Sequence, residues 1–351
     1  MGLFQRWVLL AALACLPFSI VAAQNELVQK LVVLSWPDYI DPDLVEEFER
    51  THHAKIKWVY FESDDVRDNI LVSSKTEGID VVVVNDSNLK NYRSFGWLAP
   101  LTAKHVPSLK HTNARWLTEF EGADGYSLPY FWGTLGIAYR QDLISDNISS
   151  WMHLFKPQES LRGKIVMMGG ARDVIGMALK ALGYSANSKD RKQLDNAEAL
   201  LTSQKAYVDK YAYVAITEES ALVSGEVLMS MAYNGDVLTL NRYEPNIKYV
   251  LPSEGGNLWV DYLVVMQSSN KKNLAMSFVD FINQPENAAR NAAYVYYATP
   301  NDAAKALMTD EYLNNGIIYP SEAQITRSEM YKELPSRVLK TRNRIMADLI
   351  K

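Results

Sequence analysis

The sequence predicts an α/β protein of two lobes, and three observations carry that prediction. Strand-like and helix-like segments alternate from Leu31 to Val84, and the same alternation restarts past Gly136. The 351-residue chain also exceeds what a single core usually serves. No tandem repeat, low-complexity tract or long flexible linker divides it, which favours lobes joined by several short crossovers.

In the first stretch, Leu31–Leu34 is an apolar β-rich run. Asp41-Pro42 then supplies a cap and a first-turn proline for a helix with Leu44, Val45 and Phe48 on one face. Ile56–Tyr60 reads as a second strand, Val66, Ile70 and Leu71 mark a second helix, and Asp80–Val84 is a buried strand. Such βαβ alternation implies a mostly parallel sheet with ligands at the strand C-termini. Later strands are expected at Lys164–Met168, Val227–Tyr233, Ile247–Leu251 and Tyr262–Met266, with a helix over Asp173–Leu182. From Lys271 onward the chain reads as helical, with an amphipathic segment at Asn273–Ile282 and new helices beginning at Pro285 and Pro300.

Residues 1–23 read as a cleavable export signal: Arg6 is the only charge, an apolar run follows, and Val21-Ala22-Ala23 suits cleavage. An uncleaved anchor and lipidation at Cys15 are the alternatives. Cys15 is the only cysteine, so a cleaved chain has neither thiol nor disulfide. The chain has 36 Lys+Arg against 41 Asp+Glu, a net charge of -5, or -6 once Arg6 is removed. That acidity argues against a nucleic-acid partner and suits a cationic ligand.

Aromatic and acidic side chains recur together at widely separated turns: Trp36-x-Asp38-Tyr39, Tyr233-x-x-Asp236, Trp259-x-Asp261 and Tyr297. Rings cover methylenes and attract cations, and carboxylates hold ammonium groups, so this pattern suits a slender, multiply charged amine. Several of these residues have structural readings as well. Trp36 and Tyr39 can pack at a strand end, and Asp38 can face solvent. Tyr233 can cap a strand, although Asn234-Gly235 is a turn signal. Asp236 and Asp173 can each cap a helix. Tyr297 shares a cluster with Tyr294 and Tyr296 that can be core. Trp259 and Asp261, two apart on a strand, share a face, and an aspartate on an apolar strand is costly to bury unpaired. The histidines lack metal-ligand spacing, and no nucleophile elbow or phosphate loop is present. The basic C-terminal residues Lys340, Arg342 and Arg344 read as an exposed helix face.

Taken in order, the motifs resemble the spermidine/putrescine-binding periplasmic proteins of bacterial ABC importers. Leu34-Ser35-Trp36-Pro37-Asp38-Tyr39-Ile40 is similar to the family's N-W-x-x-Y turn. Asp80-Val81-Val82-Val83 followed by Asn85-Asp86-Ser87 stands where that family has D-V-V-V-P-S. Leu128-Pro129-Tyr130-Phe131-Trp132-Gly133-Thr134 resembles its crossover, and Met231-Ala232-Tyr233-Asn234-Gly235-Asp236 its W-N/A-G-[SD] turn. Trp259-Val260-Asp261, Tyr297-Ala298-Thr299-Pro300-Asn301 and Tyr319-Pro320 complete the series.

The resemblance implies a type II periplasmic-binding-protein fold with a polyamine in the interlobe cleft. It places the lobes at 24–135 plus 261–306 and 136–260 plus 307–351. Trp36, Tyr39, Tyr233, Trp259 and Tyr297 would form aromatic walls, and Asp38, Asp173, Asp236 and Asp261 would be the acids, with Asn85 replacing the family's serine. Gly170 stands where spermidine binders often carry a second acid, Ser87 replaces a frequent aromatic, and Tyr331 stands where they carry Gln. The implied partner is an inner-membrane ABC permease, or a membrane receptor if the protein is a polyamine sensor; no cofactor is implied. A ferric-ion binder using Tyr296-Tyr297 and a hydrolase using Asp236 and Asp261 are the remaining alternatives.

Overall fold

The computed structural model describes residues 28–118 and 122–351. The export signal and Cys15 lie outside the described residues.

Nine strands form one curled sheet. They are β1 (Gln29–Ser35), β2 (Ala54–Tyr60), β3 (Val81–Asn85), β4 (Leu128–Arg140), β5 (Ile165–Met167), β6 (Val208–Tyr211), β7 (Met229–Tyr233), β8 (Ile247–Val250) and β9 (Leu258–Val265). Their order is β2-β1-β3-β9-β4-β7-β5-β6, with β8 also on β4. The flanks are parallel, as βαβ units require: β1 with β2 and β3, and β5 with β6 and β7. The centre is antiparallel, because β4 and β9 run against their neighbours. The expectation of a mostly parallel sheet therefore fails at the middle. There, long strands pass between the two halves of the molecule instead of returning through a helix.

β4 is the principal crossing. Its first part, through Thr134, pairs with β9, and its second part, from Leu135, pairs with β7 and β8. All thirteen of its residues are buried. Two glycines permit such close neighbours. A Cβ on Gly133 would lie 2.6 Å from the Trp259 ring, and one on Gly136 would lie 2.4 Å from the Val250 carbonyl oxygen.

The apolar side chains collect on either side of this crossing. Leu31, Phe48, Phe131 and Phe278 share one cluster, and Leu34, Phe61, Val260 and Tyr262 a second on the same side. Leu135, Trp151, Val174 and Ile345 share a third, and Ala138, Leu222 and Leu240 a fourth. The tryptophans follow this division, with Trp132 in the second cluster and Trp151 in the third.

Local sequence explains the helix that opens the first half. Asp41 caps helix Pro42–Thr51, its carboxylate accepting the Asp43 N–H at 3.0 Å, and Leu44 and Phe48 are buried. Other boundaries differ from expectation. Helix Ala171–Ala181 begins two residues before Asp173, with Gly170 at its cap position, so Asp173 lies inside the first turn and does not cap. Tyr233-Asn234-Gly235 is no exposed turn, because helix Asn234–Tyr243 starts directly from β7. Asn234 is buried there, accepting the Thr134 N–H at 3.0 Å and donating to the Ile317 carbonyl at 2.9 Å. Pro300 does not start a helix; Asn301 caps the single turn Asp302–Lys305, accepting the Ala304 N–H at 2.9 Å. Arg342 is buried rather than exposed, and donates to the carbonyls of Ala186 and Ser188 at 2.8 and 3.2 Å.

Candidate functional site

The candidate site lies where β3, β9 and β4 meet the starts of helices Ala171–Ala181 and Asn234–Tyr243. Asp261 is near its centre. β9 pairs Asp261 with Asn85 on one side and Phe131 on the other, and the carboxylate is 7% exposed. It accepts one described hydrogen bond, from the Tyr39 hydroxyl at 3.0 Å. Burial pushes its pKa up to about 7, against the pull of that phenol. Tyr39 is in turn held by its carbonyl, which accepts the Tyr130 hydroxyl at 2.8 Å. The Asn291 amide donates to the same hydroxyl at 2.8 Å.

Rings extend the site away from Asp261. Tyr39 meets Phe131 edge-on at 5.3 Å and Tyr297 at 5.9 Å. Tyr297 meets Trp259 edge-on at 4.9 Å, and Trp259 meets Tyr233 at 5.7 Å. Trp259 and Asp261 thus share the face that their spacing predicts. Tyr297 is buried in this group while Tyr294 is exposed, so the expected tyrosine cluster does not form as core.

Asp236 lies at the Tyr297 end. It accepts the Tyr297 hydroxyl at 2.7 Å and the Tyr213 hydroxyl as well. Burial raises its pKa to about 6 although both phenols favour the charged form. Asp236 does not cap its helix; Tyr233 occupies the cap position. Gly235 is required beside it, because a Cβ there would lie 2.5 Å from the Tyr297 ring.

The opposite end holds a charged network that reasoning from sequence overlooked. Asp64 accepts Arg67 Nη1 at 2.9 Å, Arg172 Nη2 at 3.1 Å and the Asn85 amide. Burial raises the Asp64 pKa, but the two guanidiniums outweigh it and the net shift is downward. Arg172 also donates to the Ser87 hydroxyl and lies 5.0 Å from the centre of the Tyr331 ring. Arg172 starts a helix of the second half while Asp64 and Ser87 belong to the first, so this network bridges the two.

Two further carboxylates face Arg172. Asp86, in the first turn of helix Asp86–Ser94, is 6% exposed, and burial pushes its pKa up to about 7. Asp173 is 9% exposed, and burial raises its pKa although Arg172 opposes this.

The expected site residues therefore divide. Tyr39, Tyr233, Asp236, Trp259, Asp261 and Tyr297 form one connected group, and Asp173 adjoins its charged end. Asn85 is buried beside Asp261 but spends its amide on Asp64. Trp36 packs on Phe61 at 4.4 Å, outside the ring group. Asp38 is exposed, with φ of 53°, and its side chain does not join the group.

Asp64 and Asp86 were missed because an acid in the first turn of a helix reads as helix-end electrostatics; Arg67 and Arg172, cations near helix starts, run against that dipole, and nothing local shows which acids they meet. The signal available was that Asp86 and Arg172 each adjoin a residue already a candidate, Asp86 following Asn85 at the end of β3 and Arg172 preceding Asp173.

Among the described residues, no three His, Cys, Asp or Glu side chains are arranged to hold a metal, and no helix is long and apolar enough to cross a membrane. The Tyr297 hydroxyl is engaged with Asp236.

Comparison with known proteins decides the family. The pattern of the bacterial extracellular solute-binding proteins matches residues 43–318. The chain belongs to this family. It is 27% identical over 327 residues to the spermidine/putrescine-binding periplasmic protein of Escherichia coli, covering 93% of each chain. It is also 27% identical to the norspermidine sensor of Vibrio cholerae, covering 91% of this chain and 88% of that one. The solved spermidine/putrescine ABC transporter substrate-binding protein of Streptococcus pneumoniae superposes with a TM-score of 0.79 at 27% identity, over 92% of this chain and 98% of that one. The architecture is accordingly the two-lobed fold of periplasmic binding proteins, as the order of motifs implied.

Proposed function

We propose that this solute-binding protein captures a polyamine between its lobes in the periplasm and delivers it to an ABC importer of the inner membrane. The observation that carries this reading is the pair Asp236 and Asp261. Both carboxyls lie among aromatic rings, and their described hydrogen-bond partners are phenol hydroxyls. A buried carboxylate without a cation is costly, and ligand ammonium groups would offset that cost. Tyr39, Tyr233, Trp259 and Tyr297 offer ring faces and edges to the methylenes between them.

The protein acts by binding and release, with no reaction catalysed, as a monomer without cofactor. Its lobes comprise 24–135 plus 261–306 and 136–260 plus 307–351, after removal of a signal at 1–23. The Arg172–Asp64 and Tyr297–Asp236 contacts link residues of different lobes, and ligand would favour this closed arrangement. Of the candidate residues, Asp173, Tyr233, Asp236, Trp259, Asp261, Tyr297 and Tyr39 contact ligand, while Asn85 orients Asp64. Trp36 and Asp38 stand at the margin.

Isothermal titration of the mature protein, refolded to remove carried-over ligand, with di-, tri- and tetraamines tests the reading. Saturable one-to-one binding is expected, and absence of heat with every amine refutes it. A second reading, a sensor that reports polyamine to a membrane receptor, is favoured by the likeness to the norspermidine sensor. Deletion of the gene separates the two: lost polyamine uptake supports delivery, and intact uptake with altered signalling supports sensing.

A further inference from the structure

Asp86 is buried, and only part of its carboxyl is accounted for by the Ser87 backbone and the nearby Arg172. It occupies the first turn of its helix but is not the cap, which is Asn85. Its Oδ2 is buried and, among the described residues, accepts no hydrogen bond. The same is true of Asp173 Oδ1, which comes from the other lobe. Arg172 is near both, yet its hydrogen bonds go to Asp64 and Ser87. The guanidinium thus leaves two buried carboxylate oxygens unmet, one from each lobe; beside Asp173 the nearest donor is the Tyr331 phenol, which favours its charged form but makes no full hydrogen bond to Oδ1. Leaving such oxygens unmet is expensive, and groups of this kind call for a partner.

The order of carboxylates along the site gives this pair a meaning. Asp236 is bound to Tyr297, Tyr297 packs on Tyr39, and Tyr39 is bound to Asp261. Asp261 pairs across the sheet with Asn85, and Asp86 is the next residue. The acids therefore stand at three successive stations: Asp236, then Asp261, then Asp86 with Asp173. A linear diamine has two ammonium groups to distribute and a triamine has three.

We infer that Asp86 is a ligand-binding residue that, with Asp173, receives a terminal ammonium at the Arg172 end of the site, so that the protein selects triamines over diamines. This rests on the polyamine reading above. Arg172 acts there as a fixed cation that bridges the lobes through Asp64, while the ligand's ammonium satisfies the oxygens that Arg172 does not reach.

The test is titration of the wild type and Asp86→Asn with putrescine and with spermidine, and a crystal structure of the wild type with spermidine. The wild type should bind spermidine more tightly than putrescine by about tenfold or more, one charge-assisted contact's worth. Asp86→Asn should lose most of that margin, weakening spermidine about tenfold while changing putrescine far less. In the crystal, a terminal ammonium should lie within about 3.2 Å of Asp86 Oδ2, the reach of a hydrogen bond. Equal losses for both amines, no loss for either, or an ammonium bonded only to Asp173 would overturn the inference while leaving polyamine binding intact. A wild type that binds neither amine would remove the polyamine reading itself, and this inference with it. If the variant fails to fold, the wild-type preference and the crystal contact still decide.

Discussion

Replacing Asp261 by Asn should move binding and stability in opposite directions, and both shifts follow from its surroundings. The carboxyl is buried, hydrogen-bonded to one phenol, and pushed from an ordinary 3.8 up to about 7 by burial. Because the folded value lies above the unfolded one, the folded state keeps a proton that the unfolded state gives up between about pH 4 and pH 7. The unliganded protein is therefore favoured at low pH, loses stability through that window, and stays penalised above it. At about 1.4 kcal/mol per tenfold change in proton affinity, the full penalty at pH 8 has an upper limit of roughly 4 kcal/mol. Asn has the same shape, keeps an oxygen for the Tyr39 hydroxyl and never ionises. The unliganded Asp261→Asn protein should consequently melt higher than wild type at pH 8, by about 2–4 °C for each kcal/mol recovered, with the gap closing as pH falls toward 4. Polyamine affinity at pH 8 should meanwhile fall by about 10- to 150-fold, the loss of one charge-assisted contact of roughly 1.5–3 kcal/mol. Calorimetric titration measures the affinity, and a melting series from pH 4 to 8 measures the stability. Unchanged affinity would remove Asp261 from the site. A lower melting temperature at pH 8 would show that the carboxylate is not a buried charge awaiting a cation.

Other perturbations probe the surrounding structure. Trp259→Ala should weaken polyamine binding by roughly 0.5–2 kcal/mol, the range of a cation–π contact, and reduce ligand-dependent tryptophan quenching; an unchanged fluorescence titration counts against a wall role. Gly235→Ala puts a methyl 2.5 Å from the Tyr297 ring and should cost about 1–3 kcal/mol of lobe closure, read as weaker binding and a larger solution radius with ligand present. A variant as tight and compact as wild type would mean that the Tyr297–Asp236 contact is dispensable. Arg342→Met leaves the Ala186 and Ser188 carbonyls without their donor and should lower the melting temperature while polyamine affinity stays the same. An altered affinity would connect this buried arginine to the site.

By itself the sequence determined the local elements of the flanking βαβ units, because their signals act over a few residues. Asp41-Pro42 caps its helix as read, and Leu31–Leu34, Ile56–Tyr60 and Asp80–Val84 all fall on strands or at their edges. The pairing of Trp259 with Asp261 on one face was legible for the same reason, since side chains two apart on a strand must point the same way. What only the tertiary structure decided is which distant charges meet. The antiparallel centre depends on β4 crossing between halves, and no local period distinguishes a crossing strand from a returning one. In sequence Asp64 and Asp86 look like ordinary helix-start acids, and nothing local to Arg172 tells which acids it will face. They become a bridging network with unmet carboxylate oxygens only because helix starts from the two lobes face one another there. Arg342 shows the same limit in reverse, since its burial depends on carbonyls more than 150 residues away in the chain. Short-range sterics and periodicity are written along the chain; desolvation and charge pairing depend on neighbours that only folding brings together.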